Sequence, residues 1–215
     1  MRKNLLFLFL MVAAATGSVS FFSGNRSIAT VAGEAVVQPG IQAGNWQLDK
    51  SRSSIRFSVK HMVIAESEGY FKRFDGAMES AKADFSDAKI NFTVDAGSID
   101  TDNEKRDAHL RSEDFFNTAK FPEIRFVSTS LKRMRGKKYK LYGNLTIRDI
   151  TRPVVFDVVY GGAVTEGNTV RAIFACTTVI DRFEYGLKWN KATEAGGLVV
   201  GQEVSITVKV EMLKG

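Results

Sequence analysis

The chain has 215 residues, a net charge of +6 and 16 phenylalanines. Its length is that of one domain with appendages. A single cysteine and two histidines exclude an internal disulfide framework and leave little material for a Cys/His metal site.

The first residues have the pattern of a secretory signal. An apolar run of about 11 residues follows Arg2 and Lys3, whereas a membrane-spanning helix needs about 20. Small residues come next, so we predict a cleaved signal peptide over residues 1–17 and an exported protein. Residues 18–43 lack periodicity and are rich in Ser, Gly, Ala and Val. They indicate a flexible spacer before a folded domain at residues 44–215.

Apolar and polar residues alternate through most of the chain after residue 50, which is typical of half-buried antiparallel strands. The predicted strands are 46–48, 54–62, 70–75, 77–84, 89–96, 124–130, 142–148, 153–160, 170–179 and 204–212. Turns are predicted at Asp75-Gly76, Arg135-Gly136, Gly161-Gly162 and Glu166-Gly167-Asn168. Several strands joined by short turns predict an all-β sandwich or barrel.

Phenylalanines are concentrated on the apolar faces of these strands. Five predicted strands each carry one, namely Phe57, Phe92, Phe126, Phe156 and Phe174. Periodicity alone favours an ordinary aromatic core. A small closed barrel can nevertheless enclose one ligand when its inward residues leave room.

One segment, "EKRDAHLRSEDFF", breaks the strand pattern. Thr101 followed by Glu104 is a capping-box signature, so we predict a short helix over residues 103–112. Two i,i+4 pairs of opposite charge support it, Asp102–Arg106 and Asp107–Arg111.

The same segment concentrates acids and bases, but its spacing argues against a catalytic dyad. Asp107 and His109 are two residues apart and point in different directions on a helix. His61 ends the apolar face of a predicted strand, so it is either a hydrogen-bonded core group or the polar anchor for a ligand's head. A metal site joining His61 and His109 to Glu66 or Glu68 is a further alternative.

The densest basic run, "KRMRGKKYK" at residues 132–140, has a glycine in its middle. It is either a patch for anionic lipid or nucleic acid, or a solvated hairpin turn. Nucleic-acid binders combine a longer basic stripe with interleaved aromatic residues. The run therefore favours a turn, and no nucleic-acid partner is predicted.

Four blocks of sequence together resemble the YceI-like family of exported bacterial lipid-binding proteins. They are "HMVIAESEGYFKRFDGAMES", "SIDTDNEKRDAHLRSEDFFNTAKFPEIRFVSTS", "GNLTIRDITRPVVFDVVYGG" and "ACTTVIDRFEYGLKW". The second block, with its "RDAHLRS" core before "DFF", is the most specific. Residues that match the family's motif positions are His61, Arg106, Asp107, His109 and Phe116.

The resemblance implies a lipocalin-like antiparallel barrel of eight strands with the short helix packed across it. The implied function is non-covalent binding of a polyisoprenoid, an isoprenoid quinone or a fatty amphiphile in an elongated apolar pocket. The implied location is the periplasm, and we expect no catalytic residue, metal or cofactor. Members are often dimeric, so the expected partners are the lipid, a second copy of the chain and, transiently, a membrane surface.

Ligand-binding residues are predicted from the apolar strand faces, the helix and the two histidines. They are Phe57, Val59, His61, Phe92, His109, Leu110, Phe115, Phe116, Phe126, Phe156 and Phe174. Two alternatives remain at this point: an enzyme acting on such a lipid through His61 and His109, and a membrane-surface module that uses residues 132–140.

Overall fold

The computed structural model describes residues 44–61, 65–190 and 199–215. The predicted signal peptide and spacer, residues 1–17 and 18–43, lie outside these ranges. Within them, no helix is both long and apolar enough to cross a membrane.

Within these ranges the structure contains eleven strands, one α-helix and three short 3₁₀ helices. The strands are β1 (Gly44–Leu48), β2 (Ser54–His61), β3 (Ala65–Phe71), β4 (Phe74–Ser80), β5 (Lys89–Asp95), β6 (Ile99–Asp100), β7 (Glu123–Arg133), β8 (Lys138–Ile147), β9 (Ile150–Glu166), β10 (Thr169–Asp181) and β11 (Val200–Lys214). The helix, α1 (Glu104–Arg111), lies between β6 and β7.

The strands close into a barrel. Antiparallel pairing runs β1-β4-β5-β7-β8-β9-β10-β11, and β11 pairs again with β1. Strand β2 continues β1 along β11, β3 pairs with β2, and β6 pairs with β3. The result is the predicted closed barrel of eight strands with one helix, in which three strands are broken into two pieces each.

Asp75-Gly76 was predicted as a turn, and this prediction is wrong. Both residues lie inside β4, and the chain breaks earlier, between β3 and β4. Gly76 pairs with Phe92, and a Cβ on Gly76 would approach Phe92 Cδ2 to 2.4 Å. The glycine therefore makes room for an aromatic ring.

Gly161-Gly162 also fails as a turn, because β9 runs through both residues. Gly162 pairs with Ile173 and Tyr160 with Phe174, which leaves Gly161 as the extra residue of a bulge. Gly162 has φ 127°, which favours glycine. The predicted turns at Gly136 and Gly167 are confirmed, with φ 67° and 60°.

The helix is confirmed within a residue at each end, but its predicted capping is wrong. Asn103 is the N-cap, and its side chain accepts a hydrogen bond from the Arg106 N–H at 3.0 Å. Thr101 donates instead from its hydroxyl and its N–H to Asp107 Oδ1, at 2.5 and 3.0 Å.

The two predicted ion pairs of the helix are replaced by other contacts. Arg106 donates to the hydroxyl and carbonyl oxygens of Thr101, both at 2.7 Å, while Arg111 donates to the carbonyls of Gly97 and Ile99. The charges thus attach the helix to the chain that precedes it.

A short segment plugs the barrel end opposite the helix. The predicted strand 77–84 ends at Ser80, and residues 81–88 turn inward so that Phe85 is 0% exposed. Phe85 contacts Trp46, Tyr160 and Phe174 edge to face, with ring centroids 5.6, 5.7 and 5.3 Å away. It also has φ 58°, which is unfavourable for a bulky residue, so packing must outweigh this strain.

Replacing Phe85 by alanine is therefore expected to destabilise the domain by about 3–5 kcal/mol, because a fully buried aromatic ring is lost and a cavity remains. Urea unfolding followed by circular dichroism measures this. Val179→Ala, at a side chain that is 57% exposed on the outer face, is the control and should change stability by less than about 1 kcal/mol. A loss for Phe85→Ala as small as the control's would contradict the plug.

A charged cluster lies on the outer face of the barrel, at the connection between β1 and β2. Arg171 on β10 reaches Asp49 at 2.5 Å and Glu211 at 3.0 Å. The Ser51 hydroxyl donates to Asp49 at 2.6 Å, and this bond, together with Arg171, lowers the pKa of Asp49 from 3.8 to about 2.

Because this pKa is lowered on folding, ionised Asp49 stabilises the fold above about pH 4, and the contribution is lost as the pH falls towards 2. We expect Asp49→Asn to be less stable at pH 7 and to lose less stability between pH 4 and 2 than the unmodified protein. Thermal unfolding across this range measures both. Asp149→Asn, at an exposed aspartate after β8, is the control; identical acid profiles for the Asp49 variant and the unmodified protein would refute the assignment.

Candidate ligand-binding cavity

The barrel interior is apolar but not filled. A cavity of about 170 Å³ lies at the helix end. Its lining comes from the inward faces of the strands, from the helix and from the segments that follow it. The lining residues are Ile55, Phe57, Val59, Phe71, Phe92, Val94, Ile99, Leu110, Phe115, Phe116, Ile124, Phe126, Leu145, Ile147, Phe156, Ile180, Arg182, Leu187, Val200, Val204, Ile206 and Val208.

A second cavity of about 110 Å³ lies nearer the plugged end. It shares Phe92, Phe126, Phe156 and Val208 with the first, so the two adjoin at a narrowing of the barrel. Phe126 and Phe156 meet there edge to face, with centroids 5.4 Å apart. The other lining residues are Ala77, Met78, Ile90, Leu131, Leu141, Val158, Phe174, Cys176, Val210 and Met212.

Two glycines, Gly76 and Gly143, allow the rings of Phe92 and Phe126 to lie close against the barrel wall. A Cβ on Gly143 would come within 2.4 Å of Phe126 Cζ, as one on Gly76 would with Phe92. Each ring therefore lies over backbone rather than over a neighbouring side chain. Larger residues at these glycines would push the rings into the cavity.

The helix and the segment after it cover one end of the cavity. Leu110 on α1 lines it together with Phe115 and Phe116. Phe116 packs edge to face on Phe71 of β3, with centroids 5.9 Å apart. The segment that concentrates acids and bases therefore contributes apolar residues to the wall of the cavity.

The predicted ligand-binding residues divide into two groups. The nine apolar ones, Phe57, Val59, Phe92, Leu110, Phe115, Phe116, Phe126, Phe156 and Phe174, line one or both cavities. His61 and His109 line neither cavity. The structure therefore places the two histidines outside the pocket in which they were predicted to lie. Contact with a ligand remains a prediction for all of them.

His61 is the last residue of β2 and is half-buried. It pairs with Ala65 and Val200 at the rim of the barrel. Its position at the end of the strand explains why the alternation of β2 did not carry it into the interior.

His109 lies on the outer side of the helix, with 37% of its side chain exposed. Its Nε2 is 2.9 Å from Asp114 Oδ2. The ring packs edge to face on Phe115 and Trp189, with centroids 5.2 and 4.8 Å away. His109 therefore stabilises the segment that follows the helix, and it does so from outside the cavity.

Among the residues that the structure describes, no group of three or more His, Cys, Asp or Glu side chains could hold a metal ion. Cys176 lines the second cavity, nearer the plugged end, where burial raises the pKa of its thiol to about 12. It is protonated and unreactive at neutral pH.

The basic run, residues 132–140, forms the predicted hairpin turn, since β7 ends at Arg133 and β8 begins at Lys138. Lys132 lies over the ring of Tyr142, 5.0 Å from its centroid, and Lys140 pairs with Asp157 at 2.7 Å. Part of its charge is thus engaged on the outer face of the barrel.

The sequence analysis did not predict Arg182, the charged residue among the described lining residues, and it also left out apolar ones such as Ile55 and Phe71. Arg182 follows β10 and is 3% exposed. Every second residue of β10 faces inward, Phe174, Cys176 and Ile180 among them. Extending this alternation by one step places residue 182 inside, and that is the signal that could have found it.

The chain matches the family model described as the YceI-like domain over residues 46–212. A UPF0312 protein of Staphylococcus aureus strain USA300 is 38% identical over 170 residues, which cover 78% of this chain and 96% of the relative.

Two solved structures have the same fold. BcnA of Burkholderia cenocepacia aligns with TM-score 0.66 and 23% identity over 76% of this chain and 98% of its own. A domain of Saccharophagus degradans, described as polyisoprenoid-binding and implicated in plant cell wall breakdown, aligns with TM-score 0.59 and 15% identity over 79% and 98%. From its barrel, its family match and its relatives, this chain belongs to the YceI-like domain family.

Proposed function

We propose that this protein binds a long-chain apolar ligand within its barrel and stores or carries it. The observation that carries the proposal is the pair of adjoining cavities, whose walls are apolar except at Arg182. The ligand class is a polyisoprenoid, an isoprenoid quinone or a fatty amphiphile.

The size and chemistry of the cavity suit a hydrocarbon chain better than water. Apolar cavities of about 150 Å³ stay dry and accept small apolar ligands, and the larger cavity here has about 170 Å³. Each CH₂ moved out of water contributes about 0.8 kcal/mol, so a chain of a dozen carbons supplies nearly 10 kcal/mol before ordering costs. Such binding tolerates variation in chain length.

Family membership supports the same function. One structural neighbour is described as a polyisoprenoid-binding domain, and its barrel aligns with nearly the whole folded part of this chain. The fold alone does not identify a ligand, so the apolar lining of this chain's own cavity remains the main argument.

Export to the periplasm is the second part of the proposal. Arg2 and Lys3 before a short apolar run support a cleaved signal. A carrier that shields a water-insoluble chain suits an aqueous compartment between two membranes.

Binding is favoured over turnover. Among the described lining residues, the one thiol is held protonated by burial, and His61 and His109 do not reach the cavity. Arg182 keeps its proton at all ordinary pH values and cannot act as a base. We therefore assign no catalytic residue.

Filling the narrowing between the cavities should abolish binding. Val208 lines both cavities, so Val208→Trp is expected to weaken uptake of the apolar fluorophore N-phenyl-1-naphthylamine at least about tenfold, because the indole occupies the space of the chain. Fluorescence titration measures this, and mass spectrometry of an organic extract of each purified protein tests for bound lipid.

Ser205→Trp, on an exposed position of the same strand, is the matched control and should bind like the unmodified protein. Unchanged uptake by a folded Val208→Trp variant would show that the fluorophore binds elsewhere. Absence of uptake and of extractable lipid in the unmodified protein would overturn the proposed function.

The reactivity of the Cys176 thiol measures whether the second cavity, nearer the plugged end, is accessible to solvent. Because its pKa is raised to about 12, alkylation by iodoacetamide at pH 8 should be about a thousandfold slower than in urea-unfolded protein, where the thiol has an ordinary pKa near 8.5. Raising the pH towards 12 should accelerate the reaction of the folded protein. Equal rates for folded and unfolded protein at pH 8 would mean that this cavity is open to solvent.

A further inference from the structure

The barrel end that Phe85 closes carries a concentration of positive charge. Residues 132–140 contain six lysines and arginines and no acidic residue, and residues 132–138, at the β7–β8 hairpin, are all exposed. Of the ion pairs formed between described residues, none includes Arg135, Lys137 or Lys138. These three cations therefore face solvent at the tip of the hairpin.

Carboxylates on the neighbouring strands and on the plug segment are engaged by other groups. Asp157 on β9 pairs with Lys140 at 2.7 Å, and Glu166, at the end of the same strand, lies 3.8 Å from Arg171. Asp84 in the plug segment accepts a hydrogen bond from the N–H two residues after it, at 3.0 Å. The positive charge of the hairpin tip is therefore left in excess.

Exposed aliphatic side chains adjoin the same hairpin. Met134 lies within it and is 53% exposed. Val159 on β9 is 48% exposed and is the cross-strand partner of Lys138, and residues paired in this way have Cβ atoms about 4.5–5.5 Å apart. Ile173 on β10, 37% exposed, lies against Gly161 of the β9 bulge. Positive and aliphatic groups thus share one outer surface.

This combination suits the surface of an anionic bilayer better than other large partners. Each Lys or Arg near such a bilayer strengthens binding about fivefold, and aliphatic side chains gain further by entering the headgroup boundary. A nucleic-acid duplex offers the charge without an apolar phase, and single strands bind through aromatic stacking. A second copy in a symmetric dimer would bring the same cations together.

We propose that this surface docks the protein on an anionic phospholipid bilayer. The docking surface comprises the exposed cations of the hairpin tip and the aliphatic residues beside them, namely Met134, Arg135, Lys137, Lys138, Val159 and Ile173. Docking adds a partner to the proposed function and does not depend on it, because no residue of this surface lines either cavity. The surface lies at the plugged end, so the docked protein keeps its helix-covered end in water.

Sedimentation with lipid vesicles measures docking of the unmodified protein. We expect vesicles of equal parts phosphatidylglycerol and phosphatidylcholine to bind it at least about tenfold more tightly than vesicles of phosphatidylcholine alone. High salt should weaken binding to the mixed vesicles, because exposed charges are screened. Equal affinity for the two kinds of vesicle, or affinity that salt does not change, would overturn the proposal.

Removing the three cations of the tip assigns the binding to this surface. The triple variant Arg135→Gln/Lys137→Gln/Lys138→Gln should bind the mixed vesicles at least about tenfold more weakly than the unmodified protein. All three substitutions are at exposed positions, where the fold tolerates them.

A matched control removes the same charge at the helix end. Lys60, Lys105 and Arg152 are exposed and take part in no ion pair within the described chain. The variant Lys60→Gln/Lys105→Gln/Arg152→Gln should bind the mixed vesicles like the unmodified protein. Equal losses in the two triple variants would mean that net charge alone attracts the protein, and the docking surface would be wrong.

A tryptophan at the tip measures contact with the apolar part of the bilayer. In Met134→Trp, lipids brominated in their acyl chains should quench the added fluorescence when the protein is bound, because this position enters the headgroup boundary. Val179→Trp is the control, at a side chain that is 57% exposed near the helix end of β10; its added fluorescence should not be quenched. Equal quenching of the two, or none in bound Met134→Trp, would contradict the orientation.

Two further measurements compare the bilayer with other partners. Sedimentation velocity without lipid tests for a second copy: a dimer that Val159→Gln converts to a monomer, with vesicle binding unchanged, would assign the aliphatic residues to self-association and overturn the proposal. A DNA duplex should bind at least about tenfold more weakly than the mixed vesicles at the same salt concentration. Equal binding of the duplex would overturn the choice of a bilayer.

Uptake of N-phenyl-1-naphthylamine separates this proposal from the proposed function. The triple variant at the hairpin tip should take up the fluorophore like the unmodified protein, and Val208→Trp should still bind the mixed vesicles. Absence of vesicle binding together with normal uptake overturns the docking surface alone. Vesicle binding without uptake or extractable lipid overturns the proposed function alone.

Discussion

The pairing of the first strand with the last is the constraint on which the rest of the structure depends. Trp46, Gln47 and Leu48 pair with Lys214, Leu213 and Met212, which removes the free sheet edges that eleven strands would otherwise expose. Closure also separates an inside from an outside, and without it the aromatic faces would have no enclosed space to border. The Asp49–Arg171 contact reinforces the same seam from the outer face, across 122 residues of sequence.

The two ends of the barrel are closed by different means. At one end a single phenylalanine, Phe85, enters the interior in an unfavourable backbone conformation, and Asp87 holds its segment by accepting from Ser80, Ala81 and Lys82. At the other end a helix and two phenylalanines provide the cover. The first end is packed tightly with aromatic rings, while the second borders the larger cavity.

Polar groups near the cavity serve mainly to build it. Asp107, Arg106 and Thr101 form one hydrogen-bonded group at the start of the helix, and His109 joins Asp114 outside the cavity wall. This accounts for the concentration of acids and bases in a segment that contributes apolar walls. Arg182 fits the same pattern, since its guanidinium donates to the carbonyls of Leu187, Trp189, Val200 and Gly201 and so joins the segment after β10 to the start of β11.

The sequence by itself determined the strand faces, the helix at residues 104–111 and the apolar residues that border the cavity, because alternation and helical spacing are local properties. It could not place Gly76, Gly161 or Phe85, since glycines that admit a ring or a bulge resemble glycines in turns. Histidine positions at strand ends and on a short helix were likewise ambiguous. Only the tertiary structure decided how the barrel closes and that its interior is left unfilled, because both depend on contacts between residues far apart in the chain.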